Sequence, residues 1–340
     1  MSSHTIVYLD QNYLSNMAKA RLGFLKNEGE CKFWLSLFNE LEAAVLADRI
    51  ACPELEFQRD EAEFDKRIEH AVWEVICSLS LGLEFQPYET ILELQIEDAA
   101  FKFLSKSPPP RKPWFAAFKS DPQDPVQSRM SYDAFGIKHR IEVHLSSPSE
   151  EFLEHGRQVK KRWEDTAKWL LRQSTFSDWH KELSVQKSGL VDTLFGPGAF
   201  NVIVNQWASD SSVDKSIAAS NMSRLEEKLD RLEKIGITPQ NLADFSTSDE
   251  LLNTPHIDIR CSINTVIVQN YRDRTPEGSD PADAAIMATV LPYSDVVTTD
   301  RFMKEILVNR LCFDKKYECA IFSGTKEDRV AFQELIADLK

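Results

Sequence analysis

The residues with the most chemical potential are acids set at the ends of apolar runs. Asp10 directly follows the β-branched segment Thr5–Leu9 (TIVYL), and Asp300, near the far end of the chain, closes the run VVTTD. Asp280 and Asp283 open the helical stretch that precedes that run. Carboxylates that converge repel one another unless a cation neutralises them. Oxygen-only ligand sets select hard divalent ions such as Mg²⁺ or Mn²⁺. One or two such ions polarise a phosphoryl oxygen, generate hydroxide near neutral pH and stabilise a leaving oxygen, so phosphodiester hydrolysis needs no protein nucleophile. The same acids also have a plainer use. Asp10, Asp300 and Asp280 each stand where a helix N-cap would, and Pro281 suits a first helical position.

The elements that must position these acids read as alternating strands and helices. Thr5–Leu9 has the composition of a buried parallel strand. Helical periodicity runs from Gln11 to Lys19 and from Cys31 to Ala47, a second strand fits Arg49–Cys52, and Glu54–Leu79 is again helical with dense charge on one face. Late in the chain come a helix over Asp280–Val290, a strand over Asp295–Thr298, a helix over Asp300–Val308, a strand over Glu318–Phe322 and a closing helix over Glu327–Leu339. This alternation predicts a parallel sheet with helices on both faces. Ligand sites in such sheets gather at the carboxyl ends of strands, where helix N-termini also begin. Asp10, Asp283, Asp280 and Asp300 are therefore expected at one edge, and Asp295 at a strand start.

Between the two ends the pattern changes. Six prolines crowd Ser105–Val126 (Pro108, Pro109, Pro110, Pro113, Pro122 and Pro125), which excludes helix interior and central strand. From Ser128 to Thr247 the chain reads as mostly helical, with an amphipathic seam of Leu225, Leu229, Leu232 and Ile235 stopped by Gly236. The expected organisation is a core formed by 1–104 and 248–340, split by a Pro-rich loop and helical insertion or cap over 105–247.

Composition narrows the field. The net charge of −14 argues against a broad, non-specific nucleic-acid binder but leaves room for a local basic patch. The six cysteines form no Cys-x-x-Cys pair, so neither a disulfide framework nor a zinc knuckle is expected, and a reducing cytoplasm is the default. There is no basic-then-apolar leader pattern and no run long enough for a bilayer, so no membrane association is expected. The dispersed histidines, including His139 and His144, form no His-x-x-x-His zinc motif; phosphate-loop and Gly-x-Ser-x-Gly motifs are absent too. Candidate substrate cations near the late acids are Arg260, Arg272, Arg274 and Arg301, since arginine suits bidentate phosphate contact. Lys160, Lys161, Arg162 and Trp163, and likewise Arg111, Lys112 and Trp114, combine cations with a stacking ring.

The start, YLDQNYLS, resembles the first strand and acid of PIN-like nucleases. The run SDPADAAIMATVLPYSDVVTTDRFMKEIL resembles their third and fourth acidic elements, and AIFSG the strand that follows. The resemblance covers roughly 100 residues at the two ends. It implies a PIN-like α/β fold with a central parallel sheet and a large insertion, and a Mg²⁺- or Mn²⁺-dependent endonuclease acting on RNA, with single-stranded DNA as the second substrate. Asp10, Asp283 and Asp300 would be metal ligands, with Asp280 the alternative to Asp283. The family also has an acid on the helix after the second strand; here Glu61 is favoured, then Glu54, with Gln58 between them on one helix face. A toxin or antiviral-defence effector is the role the family suggests, and a homo-oligomer or a regulatory protein partner is open. The alternative is a degenerate scaffold that binds RNA or a protein. A phosphatase of the haloacid-dehalogenase type would need a second Asp where Asn12 stands.

Overall fold

The first strand is a run of four residues, Thr5–Tyr8 (β1), apolar on both faces and therefore suited only to a sheet covered on both sides. In the structure, a computed structural model that describes residues 4–58, 67–109, 116–122, 177–208, 212–270 and 279–339, β1 lies inside such a sheet. Its neighbours are Ile50–Ala51 (β2) and Val296–Thr299 (β3), and Ala320–Ser323 (β4) lies beyond β3. The four strands take the order β2-β1-β3-β4, and every pairing is parallel. Val7 faces Val296 and Tyr8 faces Val297, so the two ends of the chain are joined strand to strand. Asp295 sits at the strand start: its backbone N–H donates to Ile6 O at 2.9 Å and its carboxylate accepts from Ile6 N at 2.7 Å.

Two compact units make up the chain. The first contains the sheet and the helices Gln11–Arg21, Glu28–Leu46, Glu69–Ser80 and Lys326–Asp338. Their apolar faces share one core with Val7, Leu9 and Val296, including Tyr13, Met17, Trp34, Leu41, Val72 and Phe332. Tyr13 meets Trp34 and Phe332 edge-on, at 5.2 and 5.6 Å between ring centroids. Glu28–Leu46 starts before Cys31 because the Asn27 side chain accepts from Glu30 N and caps it earlier.

The reading of Glu54–Leu79 as one helix needs correction at its beginning. Pro53 interrupts the chain, and Glu54 is extended: its N–H donates to Leu83 O and its carbonyl accepts from Phe85 N, forming a parallel bridge with Glu84. The residue thus makes an isolated bridge instead of opening a helix. Residues 59–66 lie outside those described. The stretch after Asp300 also differs, with an α-turn over Arg301–Lys304 followed by a π-helical turn over Glu305–Arg310.

The second unit is helical: Tyr88–Phe103, Trp179–Phe195, Pro197–Trp207, Ser212–Ile235 and Pro255–Gln269, with Asp280 to Ala288 of the helix Asp280–Val290. Leu232 of the seam is buried with Ile96, Val191, Phe245, Leu251 and Ile257, and Leu225, Leu229 and Ile235 pack against them. Gly236 ends the seam helix at φ 118°, a conformation that favours glycine. Inside this unit Lys187 pairs with Asp258 at 2.7 Å and donates to Asn253 Oδ1 at 3.1 Å. The unit bounds fall at Pro87/Tyr88 and Ala288/Thr289, so Tyr88–Phe103 and Pro255–Gln269 group with the helices of the middle. Among the described residues no helix is long and apolar enough to cross a membrane, and the six cysteines are free thiols.

Candidate functional site

Asp10 and Asp300 stand just beyond the carboxyl ends of β1 and β3, strands that are hydrogen-bonded neighbours. Adjacent strands run about 4.8 Å apart. The register Val7 to Val296 and Tyr8 to Val297 brings Asp10 level with Thr299, so the two acids leave neighbouring strands at the same edge, offset by one residue. Both residues are half-buried. Burial pushes the Asp10 carboxyl up to about 6; hydrogen bonds from Asn12 oppose this, and the Asp300 carboxylate adds to it.

The peptide that carries Asp10 is held on both sides. Asp10 N–H donates to Thr298 Oγ1 on β3 at 2.8 Å, and the Leu9 carbonyl accepts from Gln58 Nε2 at 2.5 Å. Gln58 is itself fixed, accepting from Leu55 N at 2.9 Å. A backbone pinned this way sets the position of its side chain with little freedom.

Each acid also caps a helix. Asp10 Oδ2 accepts from Asn12 N at 3.2 Å and from Asn12 Nδ2 at 2.9 Å, and Asp300 Oδ1 accepts from Met303 N at 2.8 Å. A carboxylate has two oxygens and about four acceptor sites, so a cap bond leaves capacity for a cation.

The end of β4 adds groups that sequence reading missed. Asp328 accepts from Ser323 N at 2.8 Å and from Lys304 Nζ at 2.7 Å, and Ser323 Oγ also donates to it. The Ser323 carbonyl accepts from the buried Tyr13 hydroxyl at 2.7 Å. Burial, then the Asp328 charge, pushes the Tyr13 hydroxyl well above the ordinary tyrosine range. Hydrogen bonds from Lys304 and Ser323 outweigh burial at Asp328 and hold its carboxyl below the usual range. Asp328 stands three residues after the cap Thr325, and that spacing was the one signal available for it.

The remaining candidates fall as follows. Glu54 is buried beside Gln58, Leu9 and Cys52 around a cavity of about 10 Å³, room for about one water. Glu61, Arg272 and Arg274 lie outside the described residues, as do Arg111, Lys112, Trp114, His139, His144 and the cluster Lys160–Trp163. Asp280, buried, and Asp283, half-buried, belong to the first turn of their helix in the second unit, as Arg260 does to Pro255–Gln269. Arg301 is exposed, directly after Asp300. Among the described residues no group of three or more His, Cys, Asp or Glu side chains is gathered closely enough to hold a metal ion.

Chemically, the edge offers two oxygen donors of like charge, one of them costly to ionise in place. That donor type fits a hard divalent cation, which would offset the repulsion. No family model, curated protein or solved structure matches this chain.

Proposed function

We propose that the chain is a divalent-metal-dependent endonuclease of PIN-like type, with RNA as its substrate and single-stranded DNA as the second choice. The observation that carries this reading is the pairing of Asp10 and Asp300 at the carboxyl ends of adjacent parallel strands. Asp10 and Asp300 would hold Mg²⁺ or Mn²⁺, with the acid Glu61 or Glu54 as a further carboxylate of the set. A divalent ion there supplies Lewis-acid polarisation of the phosphoryl oxygen and activation of water. The chain's own part is to hold the two carboxylates in place through Thr298, Gln58 and the two helix caps. The residues 105–247 would serve as an insertion that caps the substrate or docks a regulator, in a cytoplasmic toxin or antiviral-defence effector.

The test is cleavage of labelled RNA and single-stranded DNA with Mn²⁺, Mg²⁺ or EDTA. The proposal expects cutting that needs the metal and falls at least about 100-fold in Asp10→Asn, the loss of a catalytic electrostatic group. Asp10→Asn cutting as fast as the parent would remove Asp10 from the site.

A second reading is a non-catalytic scaffold that binds RNA or a protein. The complete cap roles of Asp10 and Asp300 favour it, because both acids are explained without a metal. It expects no metal-dependent cutting under any condition.

A further inference from the structure

Immediately after Asp300 the chain lines an open groove of about 520 Å³, bounded by Arg301, Phe302, Lys304, Asn309, Ser323 and Thr325 together with Glu305 and Asp328. A volume in this range suits a nucleotide-sized ligand. The two acids in the groove are already matched inside the protein. Asp328 is held by Lys304 and Ser323, while Glu305 accepts from Asn309 and lies 3.7 Å from Arg310. Arg301 differs: it is exposed and makes no hydrogen bond or ion pair among the described residues. An exposed guanidinium at the mouth of a groove whose acids are otherwise satisfied leaves one positive charge for an outside anion. The wall also carries a π-helical turn, Glu305–Arg310, a distortion of the kind found at functional sites.

We propose that this groove seats single-stranded RNA beside the Asp10–Asp300 pair, with Arg301 on a backbone phosphate and the Phe302 ring against a base; the inference rests on the nuclease reading above. Arginine recognises a phosphate by paired N–H donors. An aromatic ring accepts any unstacked base, which matches a grip without sequence preference. The direct chain link from Asp300 to Arg301 and Phe302 ties the position of the bound nucleotide to the carboxylate pair. A net charge of −14 argues against a broad basic footprint and suits a short local contact of this kind.

The test is fluorescence anisotropy of a short, nuclease-resistant phosphorothioate RNA with the full chain in EDTA, so that binding is read apart from metal and cleavage. Arg301→Glu is compared with Lys26→Glu, an equal charge change at an exposed site outside the groove. Arg301→Glu should weaken binding about 10-fold or more and lower the slope of log affinity against log salt by about 0.7. Phe302→Leu, which keeps an apolar group to pack, should weaken it about 5-fold or more across unrelated sequences. Lys26→Glu should change it less than about 2-fold, because Lys26 does not line the groove. Equal effects of Arg301→Glu and Lys26→Glu, or no binding by the parent, would overturn the groove. The two readings fail separately. Arg301-dependent binding without any metal-dependent cutting sinks the nuclease and keeps the groove, and cutting indifferent to Arg301→Glu sinks the groove and keeps the nuclease.

Discussion

Asp10 serves two purposes that pull against each other. As a cap it needs only an acceptor oxygen, and Asn would do as well. As a carboxylate it is penalised: burial, with a smaller addition from the Asp300 charge, raises its pKa from 3.8 to about 6, so its charged form is destabilised in the folded chain. Between those values the folded state binds more protons than the unfolded one, and stability falls as pH climbs through 6. Asp10→Asn should therefore raise stability at pH 7.5 by about 1 kcal/mol, discounted for water reaching the residue, which is roughly 2–4 °C. Melts in EDTA should show that gain shrinking towards pH 4, and no gain at pH 7.5 would contradict the cost of burying the Asp10 carboxylate. His256 has the opposite sign. It is fully buried, stacks on Tyr88, and has neither ring nitrogen hydrogen-bonded among the described residues. Burial, then the Arg260 charge, lowers its pKa from 6.5 to about 3. The unfolded chain takes up that proton first, so the stability it contributes is present above pH 6.5 and is lost as pH falls towards 3. In the parent, stability relative to His256→Leu should fall by about 1.4 kcal/mol per pH unit below 6. A difference between the two that does not change with pH would contradict this. Asp10 and Asp300 were legible in the sequence because an apolar run ending in an acid marks a strand edge. Thr298 and Gln58 were not, because their partners Asp10 and Leu9 lie far away along the chain, and Asp328 offered only its spacing from Thr325.

At the scale of elements, the four strands were readable because short β-branched runs bounded by polar residues have few alternatives. Their ends moved by one or two residues, the ordinary looseness of a boundary. Glu54 shows where periodicity fails: its backbone hydrogen bonds go to Leu83 and Phe85, and no spacing rule within Glu54–Leu79 contains that information. The helices Tyr88–Phe103 and Pro255–Gln269 were also unread. The second is buried over most of its circumference and lacks a clear stripe, while the first buries Ile91, Leu92, Gln95, Ile96, Ala99 and Ala100 on one face, a stripe the sequence reading passed over. The element that most directly positions Asp10 is β3, through Thr298. Its hydroxyl accepts from Asp10 N–H at 2.8 Å and lies 3.4 Å from Tyr8 O. Thr298→Val keeps the shape and removes the acceptor, leaving a part-buried N–H unmatched at a cost of about 1–3 kcal/mol. The variant should melt lower and, on the nuclease reading, cut more slowly with little change in KM. Unchanged stability would mean that water replaces the hydroxyl and that β3 does not fix the acid.

At the scale of the whole molecule, the parallel sheet that joins the two chain ends was foreseeable, because the strands of the last third alternate with helices and need a parallel neighbour that the first strand supplies. Where the middle is described, over 177–208 and 212–247, it is mostly helical as expected, while 128–176 lie outside the described residues. Its bounds were not foreseen, since the second unit takes helices from both sides of 105–247. On the nuclease reading, the chain's −14 charge has a global consequence: any contact with nucleic acid would be local, and a divalent ion would be the simplest counter-charge for acids at the sheet edge. The most direct test of that claim is a calorimetric titration of Mn²⁺ into the metal-free full chain at pH 7.5, alongside the Asp10→Asn/Asp300→Asn double variant. A saturable site in the parent that the folded double variant lacks is the predicted result. Uptake of Mn²⁺ by the double variant with the stoichiometry and affinity of the parent, or none by the parent, would contradict the carboxylate pair as a metal centre.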